Sequence, residues 1–168
     1  MIIALTGFMG SGKSSVGREL STLLGLPVVD LDRYIEQRSG LRIPEIFALS
    51  GESAFRDLET AALSELLFGG STPERSFILS LGGGAILRKE NAEMIREKCK
   101  CVFLRASAET LRLRLRGEQA NRPLLKGGGF EALLEERTPL YTAAADIIVD
   151  TDTLTPMQIA GVIANLIS

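Results

Sequence analysis

The chain has 168 residues, of which 45% are hydrophobic and 24% are charged, with a formal net charge of −2. This length and balance suit one globular domain with a sizeable core, and they provide no overall basic field for nucleic acid. No apolar run approaches the roughly 18 residues that cross a membrane, and no basic leader precedes the first apolar run. We therefore expect a cytoplasmic protein that binds neither nucleic acid nor membrane.

The predicted elements alternate between short apolar runs and helix-forming stretches. The predicted strands are apolar throughout and cover residues 2–6, 27–29, 77–81, 101–104 and 147–149. The predicted helices cover 13–24, 34–38, 43–50, 52–67, 89–98, a segment capped by Ser107, 130–144 and a final segment capped by Thr155. Because the strands lack polar alternation, both faces of their sheet are expected to be buried. The pattern predicts an α/β three-layer sandwich with a five-stranded parallel sheet and ligands at the carboxyl ends of the strands.

Apolar spacing predicts which sides of two helices face the core. In the helix at 52–67 the expected inward residues are Phe55, Leu58, Ala62 and Leu66. In the final helix they are Ile159, Val162, Ile163 and Leu166.

The sequence contains no histidine, and its two cysteines, Cys99 and Cys101, are separated by one residue. Without histidine there is no Ser-His or Cys-His nucleophile, and two cysteines alone make no zinc ligand set. We expect two free thiols in a reducing compartment. Any general base is then expected to be a carboxylate.

The segment GFMGSGKSS at 7–15 has the spacing of a phosphate-binding P-loop and lies between the first strand and the first helix. Its glycines let the backbone approach a ligand, and successive N–H groups there can surround an anion. Lys13 is expected to reach the β- and γ-phosphates, and the Ser14 hydroxyl is expected to bind Mg²⁺. The alternative is a glycine-rich turn that only closes the strand–helix unit.

Other polar residues and glycines also follow predicted strands directly. Asp30 and Asp32 follow the second strand, and Gly82, Gly83 and Gly84 follow the third. The carboxyl ends of parallel strands share one edge, so these residues are expected beside the P-loop. For either aspartate the alternative is an N-cap of the next helix, and for the glycines it is a tight turn.

From one end to the other, the sequence resembles the shikimate kinase family. The matching motifs are GFMGSGKSS at 7–15, DLD at 30–32, GE and FRDLE within 51–59, LGGGA at 81–85, RPLL at 122–125 and ERTPLY at 136–141. The P-loop alone indicates only a nucleotide site, whereas the later motifs in this order are specific to the family. The resemblance implies a single P-loop kinase domain over 1–168. It also implies substrate-binding helices at about 31–68 and a mobile lid at about 117–129.

The resemblance also implies roles for the acceptor-site residues. Arg56 and Arg137 would bind the shikimate carboxylate, because a guanidinium can bind a carboxylate through two hydrogen bonds. Asp32 would contact the substrate hydroxyls and act as a base or orienting group. The backbone of Gly82 and Gly83 would meet the substrate. The alternative for the arginines is pairing with nearby glutamates on a helix surface.

On the nucleotide side, the resemblance implies a metal pair and a lid arginine. Ser14 and Asp30 would hold Mg²⁺, with Asp30 acting through a water. Arg122 is similar to the lid arginine that adds a cation over the transferred phosphate, and it is expected to be catalytic together with Lys13 and Asp32. The alternative for Arg122 is a solvated loop arginine. The residues expected to bind ATP are Gly10, Ser11, Gly12, Lys13, Ser14, Ser15, Arg116, Arg122 and Pro156.

The adenine end has two candidate arginines. In the family an arginine before the lid flanks the base, and the spacing leaves both Arg114 and Arg116 open for that position. Before the last helix, Pro156 fits the family pattern. Leu154 stands where some relatives carry an arginine, which argues against a base held between two arginines.

The implied activity is transfer of the γ-phosphoryl group of ATP to the 3-hydroxyl of shikimate, in chorismate and aromatic amino-acid biosynthesis. The implied partners are ATP or ADP and shikimate, the cofactor is Mg²⁺, and the expected state is a monomer. A related gluconate or nucleoside-monophosphate kinase is one alternative, but it is expected to lack Asp30 and Asp32 together with Arg56. A silent kinase-like binding module is the other, but it is expected to have lost Lys13, Asp32 or Arg137.

Overall fold

The computed structural model describes residues 1–70, 75–115 and 129–168. Within these ranges, five strands alternate with seven helices. The strands are β1 (Ile2–Thr6), β2 (Val28–Asp30), β3 (Phe77–Ser80), β4 (Cys99–Arg105) and β5 (Ile147–Asp150). The helices are α1 (Lys13–Leu24), α2 (Leu31–Ser39), α3 (Ile43–Phe68), α4 (Lys89–Lys98), α5 (Ala108–Arg114), α6 (Phe130–Ala144) and α7 (Pro156–Ile167).

The sheet is parallel throughout, with strand order β2-β3-β1-β4-β5. The central strand β1 pairs with β3 on one side and with β4 on the other. The loops that leave the carboxyl ends of β1 and β3 therefore lie side by side. This arrangement confirms the predicted five-stranded parallel sheet and brings the P-loop next to the glycines that follow β3.

Apolar side chains from alternate strand positions pack on the two faces of the sheet, which gives three layers. One face is covered by α1 and α7, and its buried residues include Ile3, Leu5, Val16, Leu20 and Ile163. The other face is covered by α2 to α6, and its buried residues include Ala4, Leu31, Phe55, Ile95 and Tyr141. The α/β three-layer sandwich predicted from the apolar strands is therefore present.

The long helix α3 is interrupted at Gly51, whose backbone (φ 84°, ψ 172°) is not helical. The two helices predicted on either side of this residue are therefore both present. The predicted inward side of the second half was wrong at Leu58, which is 39% exposed. Arg56 and Glu59 are buried instead because they form an ion pair, which apolar spacing cannot reveal.

The structure tests two further predictions, which concern the buried side of α7 and the state of the two cysteines. Ile159 and Ile163 of α7 are buried as expected, but Val162 and Leu166 are exposed, so the buried stripe of this helix is narrower than predicted. The two cysteines are buried free thiols, as expected.

Among residues 1–70, 75–115 and 129–168, no helix is both long and apolar enough to cross a bilayer. The predicted lid lies outside the described residues, apart from residue 129.

Candidate active site

The P-loop connects the end of β1 to the first turn of α1. Gly10 (φ 82°) and Gly12 (φ 98°) take left-handed backbone conformations that other residues rarely adopt. Gly12 is the N-cap of α1, and the first turn of that helix contains no acidic side chain. The backbone N–H groups of the first turn are therefore not hydrogen-bonded to an acidic side chain of that turn. Such N–H groups at a helix start can bind an anion.

Lys13 begins α1, and its side chain bends back over the loop. Its Nζ donates to the carbonyl oxygens of Gly7 at 2.7 Å and Phe8 at 3.0 Å. The loop is closely packed at its base, because a Cβ atom on Gly7 would lie 2.7 Å from the carbonyl oxygen of Leu104. The ammonium group is thus held against the same backbone that would surround the phosphates.

A cleft of about 470 Å³ opens at the carboxyl ends of the central strands. Its walls include Gly12 and Ser14 from the P-loop, Asp30 and Asp32 after β2, and Gly83 after β3. The sequence predicted that these residues share one edge of the sheet, and the structure brings them into one cavity. Its volume lies within the range of small-molecule sites.

The glycine loop after β3 lies against two charged side chains. A Cβ atom on Gly82 would lie 2.8 Å from Oδ1 of Asp32, and one on Gly84 would lie 2.4 Å from Nη1 of Arg56. A side chain at either position would therefore displace a charged group. The tight turn that was the alternative for these glycines is present, because the Ala85 N–H donates to the Gly82 carbonyl oxygen at 3.0 Å. Contact of the Gly82 and Gly83 backbone with a substrate stays a prediction.

Arg56 lies on α3 and is 7% exposed. Its Nη1 donates to Glu59 at 3.0 Å, and its Nη2 donates to Glu52 at 3.4 Å. The predicted pairing with nearby glutamates is therefore present, but on a buried side chain and not on a helix surface, and a contact of Arg56 with the substrate stays a prediction. Burial raises the pKa of the Glu59 carboxyl to about 7, although the adjacent Arg56 guanidinium opposes the shift.

Arg137 lies on α6 and is only 2% exposed. Its Nε and Nη1 atoms have no hydrogen-bond partner among the described residues. Leaving a buried charged donor without a partner costs on the order of 1–3 kcal/mol or more. A Cβ atom on Gly83 would lie 3.6 Å from Nη1, so the guanidinium faces the glycine loop. A bound carboxylate would satisfy both donors at once.

Asp32 lies in the first turn of α2, and its Oδ1 is buried without a partner among the residues that the structure describes. Burial raises the pKa of this carboxyl above its ordinary value, and the Asp30 carboxylate raises it further. Lys13 and Arg56 oppose the shift. A carboxylate with a raised pKa is a better proton acceptor than an ordinary aspartate, which suits a general base.

Asp30 is the N-cap of α2, and its Oδ1 accepts a hydrogen bond of 3.1 Å from the backbone N–H of Arg33. The N-cap alternative is therefore correct for this aspartate. The cap explains why α2 begins at Leu31, three residues before the predicted start. A carboxylate has a second oxygen, so capping leaves room for another contact.

The donors in this part of the cleft fit a magnesium ion. Ser14, Asp30 and Asp32 all line the cavity, and Oδ1 of Asp32 has no protein partner in the described part of the chain. Mg²⁺ prefers oxygen donors, takes few protein ligands and keeps several waters. Within the described ranges, no group of three or more His, Cys, Asp or Glu side chains could enclose a metal. The Ser14 hydroxyl and the carboxylates of Asp30 and Asp32 are oxygen donors of the kind that Mg²⁺ prefers.

Comparison with known proteins shows to which protein family the chain belongs. A family model described as shikimate kinase matches residues 9–168. The chain belongs to the shikimate kinase family. Among curated shikimate kinases, the protein from Bordetella pertussis is 41% identical, over 98% of this chain and 76% of its own length. The shikimate kinase from Dictyoglomus turgidum is 42% identical, over 89% of this chain and 87% of its own length.

Solved structures of shikimate kinases share the fold. The enzyme from Acinetobacter baumannii in complex with shikimate is 36% identical, with a TM-score of 0.89 over 99% of this chain and 92% of its own. The enzyme from Aquifex aeolicus is 34% identical, with a TM-score of 0.82 over 99% and 96% of the two chains. The fold is therefore the P-loop kinase fold of the shikimate kinase family.

In this member of the shikimate kinase family, the cleft is also lined by Arg114, Leu154 and Pro156, the residues considered for the adenine end. Nη1 of Arg114 donates to the carbonyl oxygens of Gly10 at 3.3 Å and Ser11 at 3.2 Å. Of the two candidate arginines, Arg114 therefore lies in the cleft. The predicted ATP-binding residues at positions 116 and 122 lie outside the described residues, and their roles stay predictions.

Two residues near the cleft were missed by the sequence reasoning, Ser80 and Tyr141. Ser80 is buried at the end of β3 and lines the cleft, so its place at a strand end is a signal that could have found it. Glu59 was among the glutamates considered as partners of the arginines, and it follows Arg56 by three positions on a helix, which is contact spacing. Tyr141, which donates a hydrogen bond to the Gly83 carbonyl oxygen, has only its place in the ERTPLY motif to mark it.

Proposed function

We propose that the chain transfers the γ-phosphoryl group of ATP to the 3-hydroxyl of shikimate, giving shikimate 3-phosphate and ADP. The observation that carries the acceptor assignment is Arg137, a buried cation with two unpartnered donors beside the glycine loop. A small carboxylic acid would satisfy these donors. Asp32, which lines the same cleft as the P-loop, would receive a hydroxyl of the same molecule.

In the proposed reaction, the acceptor oxygen forms a bond to Pγ while the bond from Pγ to the β–γ bridging oxygen breaks. Asp32 accepts or orients the proton of the attacking hydroxyl, which its raised pKa and unpartnered Oδ1 support. Arg56 and Arg137 hold the carboxylate, so that the hydroxyl lies in line with Pγ. Lys13 and the P-loop amides bind the phosphate oxygens. The rate enhancement then comes mainly from positioning and charge stabilisation.

Further contacts of the donor belong to the same proposal. Ser14 and Asp30 would hold Mg²⁺, which supplies positive charge to the β- and γ-phosphates when it is bound. Arg122 is proposed as the cation that completes the site over the transferred phosphate, and Arg116 as a nucleotide contact, from the sequence alone. The remaining proposed ATP-binding residues all line the cleft, and they are Gly10, Ser11, Gly12, Lys13, Ser15 and Pro156.

We also propose that the protein works as a cytoplasmic monomer, with residues 31–68 forming the acceptor helices of one kinase domain. Large apolar side chains exposed among the described residues, such as Leu49, Leu113 and Met157, lie on different helices. Single exposed apolar residues are ordinary and do not require a partner.

An ADP-release assay with Mg²⁺ and ATP tests the proposed reaction when shikimate, gluconate and AMP are compared as acceptors. We expect turnover with shikimate only, and a phosphorus NMR spectrum of the product should show one phosphomonoester of shikimate. Turnover with gluconate or AMP but not with shikimate would assign a related kinase. ATP binding without turnover on any acceptor would favour a silent binding module.

A further inference from the structure

Tyr141 is a buried polar side chain to which the proposed reaction gives no role. It is completely buried on α6, four residues after Arg137, and this spacing puts both side chains on the same face of the helix. Its ring packs against that of Phe103 with the centroids 5.2 Å apart, which fixes the direction of the hydroxyl. The hydroxyl donates to the carbonyl oxygen of Gly83 at 2.5 Å.

The Tyr141 hydroxyl and the Arg137 guanidinium meet at one point of the glycine loop. A Cβ atom on Gly83 would lie 3.6 Å from Oη of Tyr141 and 3.6 Å from Nη1 of Arg137. The tyrosine hydroxyl and the proposed carboxylate-binding group therefore both lie beside this one glycine. Because the hydroxyl also donates to the Gly83 carbonyl oxygen, it ties the loop backbone to the helix that carries Arg137.

The Tyr141 hydroxyl stays protonated at physiological pH, so it remains a hydrogen-bond donor. Burial raises the pKa of Tyr141 to about 12, although the nearby Arg137 and Arg56 guanidinium groups oppose the shift. The hydroxyl thus keeps its proton at physiological pH and can donate to the Gly83 carbonyl oxygen in every turnover. A buried phenol that stays neutral also leaves the positive charge of Arg137 available to an anion.

We propose that Tyr141 is a positioning residue of the acceptor site, which fixes the Arg137 guanidinium and the Gly83 backbone relative to each other. It touches neither ATP nor the reacting atoms, and it acts through the two groups that bind the acceptor. This inference rests on the proposed function, and it explains how the residues that would bind the shikimate carboxylate are held in place. Groups held in place before binding need less ordering when the ligand arrives, which favours affinity.

The first test is the Tyr141→Phe variant, which removes only the hydroxyl. Losing one hydrogen bond near a charged group is expected to raise the KM and the Kd for shikimate about tenfold, with KM for ATP within about twofold of wild type. The chain has only two tyrosines, so Tyr34→Phe on α2 is a matched control and should leave both constants unchanged. Equal increases in both KM values, or an unchanged shikimate KM, would overturn the proposal.

A combined variant tests whether Tyr141 acts through Arg137. In an Arg137→Lys background, Tyr141→Phe should change the Kd for shikimate by less than about threefold, because coupled residues are not additive. A full tenfold effect in both backgrounds would show that the tyrosine acts independently of the arginine and would overturn the proposal.

A spectroscopic measurement keeps Tyr141 intact and covers the case in which the substituted protein does not fold. The chain has no tryptophan, so Tyr141 is the only strong emitter in the Tyr34→Phe variant. Its emission should change as shikimate is added, because the bound carboxylate would neutralise the charge of the neighbouring Arg137 guanidinium, with half-saturation at the Kd measured by calorimetry. Constant emission at saturating shikimate would show that no anion binds to the guanidinium beside Tyr141 and would overturn the inference. Failure of the wild type to phosphorylate shikimate would instead reject the proposed function.

Discussion

At the scale of single residues, the two buried arginines of the proposed acceptor site differ in how their charge is balanced. Arg56 donates to Glu59 and Glu52, whereas Nε and Nη1 of Arg137 have no partner among the described residues. A guanidinium whose donors are already used gains less from an incoming carboxylate than one whose donors are open. We therefore expect Arg137 to contribute more to acceptor binding than Arg56.

Arg137→Ala is predicted to abolish shikimate-dependent turnover while ATP still binds. We expect kcat/KM for shikimate to fall at least about a hundredfold, since the lost contacts are buried and charge-assisted. Steady-state kinetics measures this loss, and calorimetry with ATP checks the nucleotide site. Arg38→Ala is a matched control, because this exposed arginine pairs with Glu65 away from the cleft. Turnover that survives undiminished in the Arg137 variant would remove this residue from the acceptor site.

Glu59 links the acceptor site to the pH dependence of stability. Burial raises its folded-state pKa from the ordinary value of 4.5 to about 7. The folded protein therefore binds this proton more tightly than the unfolded chain does. The contribution of Glu59 is fully present below pH 4.5, and it is lost as the pH rises through 7.

Glu59→Gln is predicted to flatten this dependence. In the wild type, the free energy of unfolding should fall by on the order of 1–3 kcal/mol between pH 4.5 and 7.5 because of this group. The glutamine variant should lose that part of the slope, whatever its absolute stability, since it has no proton to release. Urea unfolding at several pH values measures the slope. An identical slope in both proteins would show that Glu59 does not titrate in this window.

At the scale of elements, the local features of the sequence predicted most of the strands and helices. The strand–loop–helix unit around the P-loop and the break between two helices at Gly51 were both correct. The start of α2 was predicted too late, because apolar spacing does not reveal the N-cap that the Asp30 side chain forms. The buried side of α3 was wrong at Leu58 because the ion pair between Arg56 and Glu59 occupies the core side.

The break in α3 depends on a backbone conformation that is essentially restricted to glycine. Gly51 has φ 84° and ψ 172°, and among the described residues no atom beyond its chain neighbours and the adjacent backbone of α3 lies within 4 Å of the position of a Cβ atom. Substitution there would therefore meet backbone strain alone, without a clash. The half-helix that follows carries Arg56 and Glu59, so the break also sets the direction of the helix from which these two buried side chains extend.

Gly51→Ala is predicted to destabilise the protein by about 1–3 kcal/mol, which lowers the melting temperature by about 4–10 °C for a chain of this size. Gly161→Ala is the matched control, since Gly161 lies inside α7 with open space at its Cβ position. Alanine is favoured over glycine in a helix, so the control should be neutral or stabilised. Differential scanning calorimetry measures both. Equal melting temperatures for the two variants would show that the break at Gly51 is not strained.

At the scale of the whole molecule, the strand order places three loops at one edge. Because β1 lies between β3 and β4, the P-loop has the glycine loop beside it, and β2 brings Asp30 and Asp32 to the same edge. The sequence predicted the shared edge from the parallel sheet. The pairing of Arg56 with Glu52 and Glu59 is local, since all three lie on α3 at contact spacing. The sequence could not predict that Nε and Nη1 of Arg137 are buried without a partner among the described residues, because this depends on how α6 packs against the glycine loop.

A crystal structure of the protein with ADP, Mg²⁺ and shikimate tests most directly whether one cleft holds both substrates end to end. We expect the shikimate carboxylate within hydrogen-bond distance of the Arg137 guanidinium. The 3-hydroxyl should lie beside the Asp32 carboxylate and point toward the phosphates at Lys13. Shikimate bound at another place, or bound with Arg137 and Asp32 turned away from it, would contradict the proposed phosphoryl transfer.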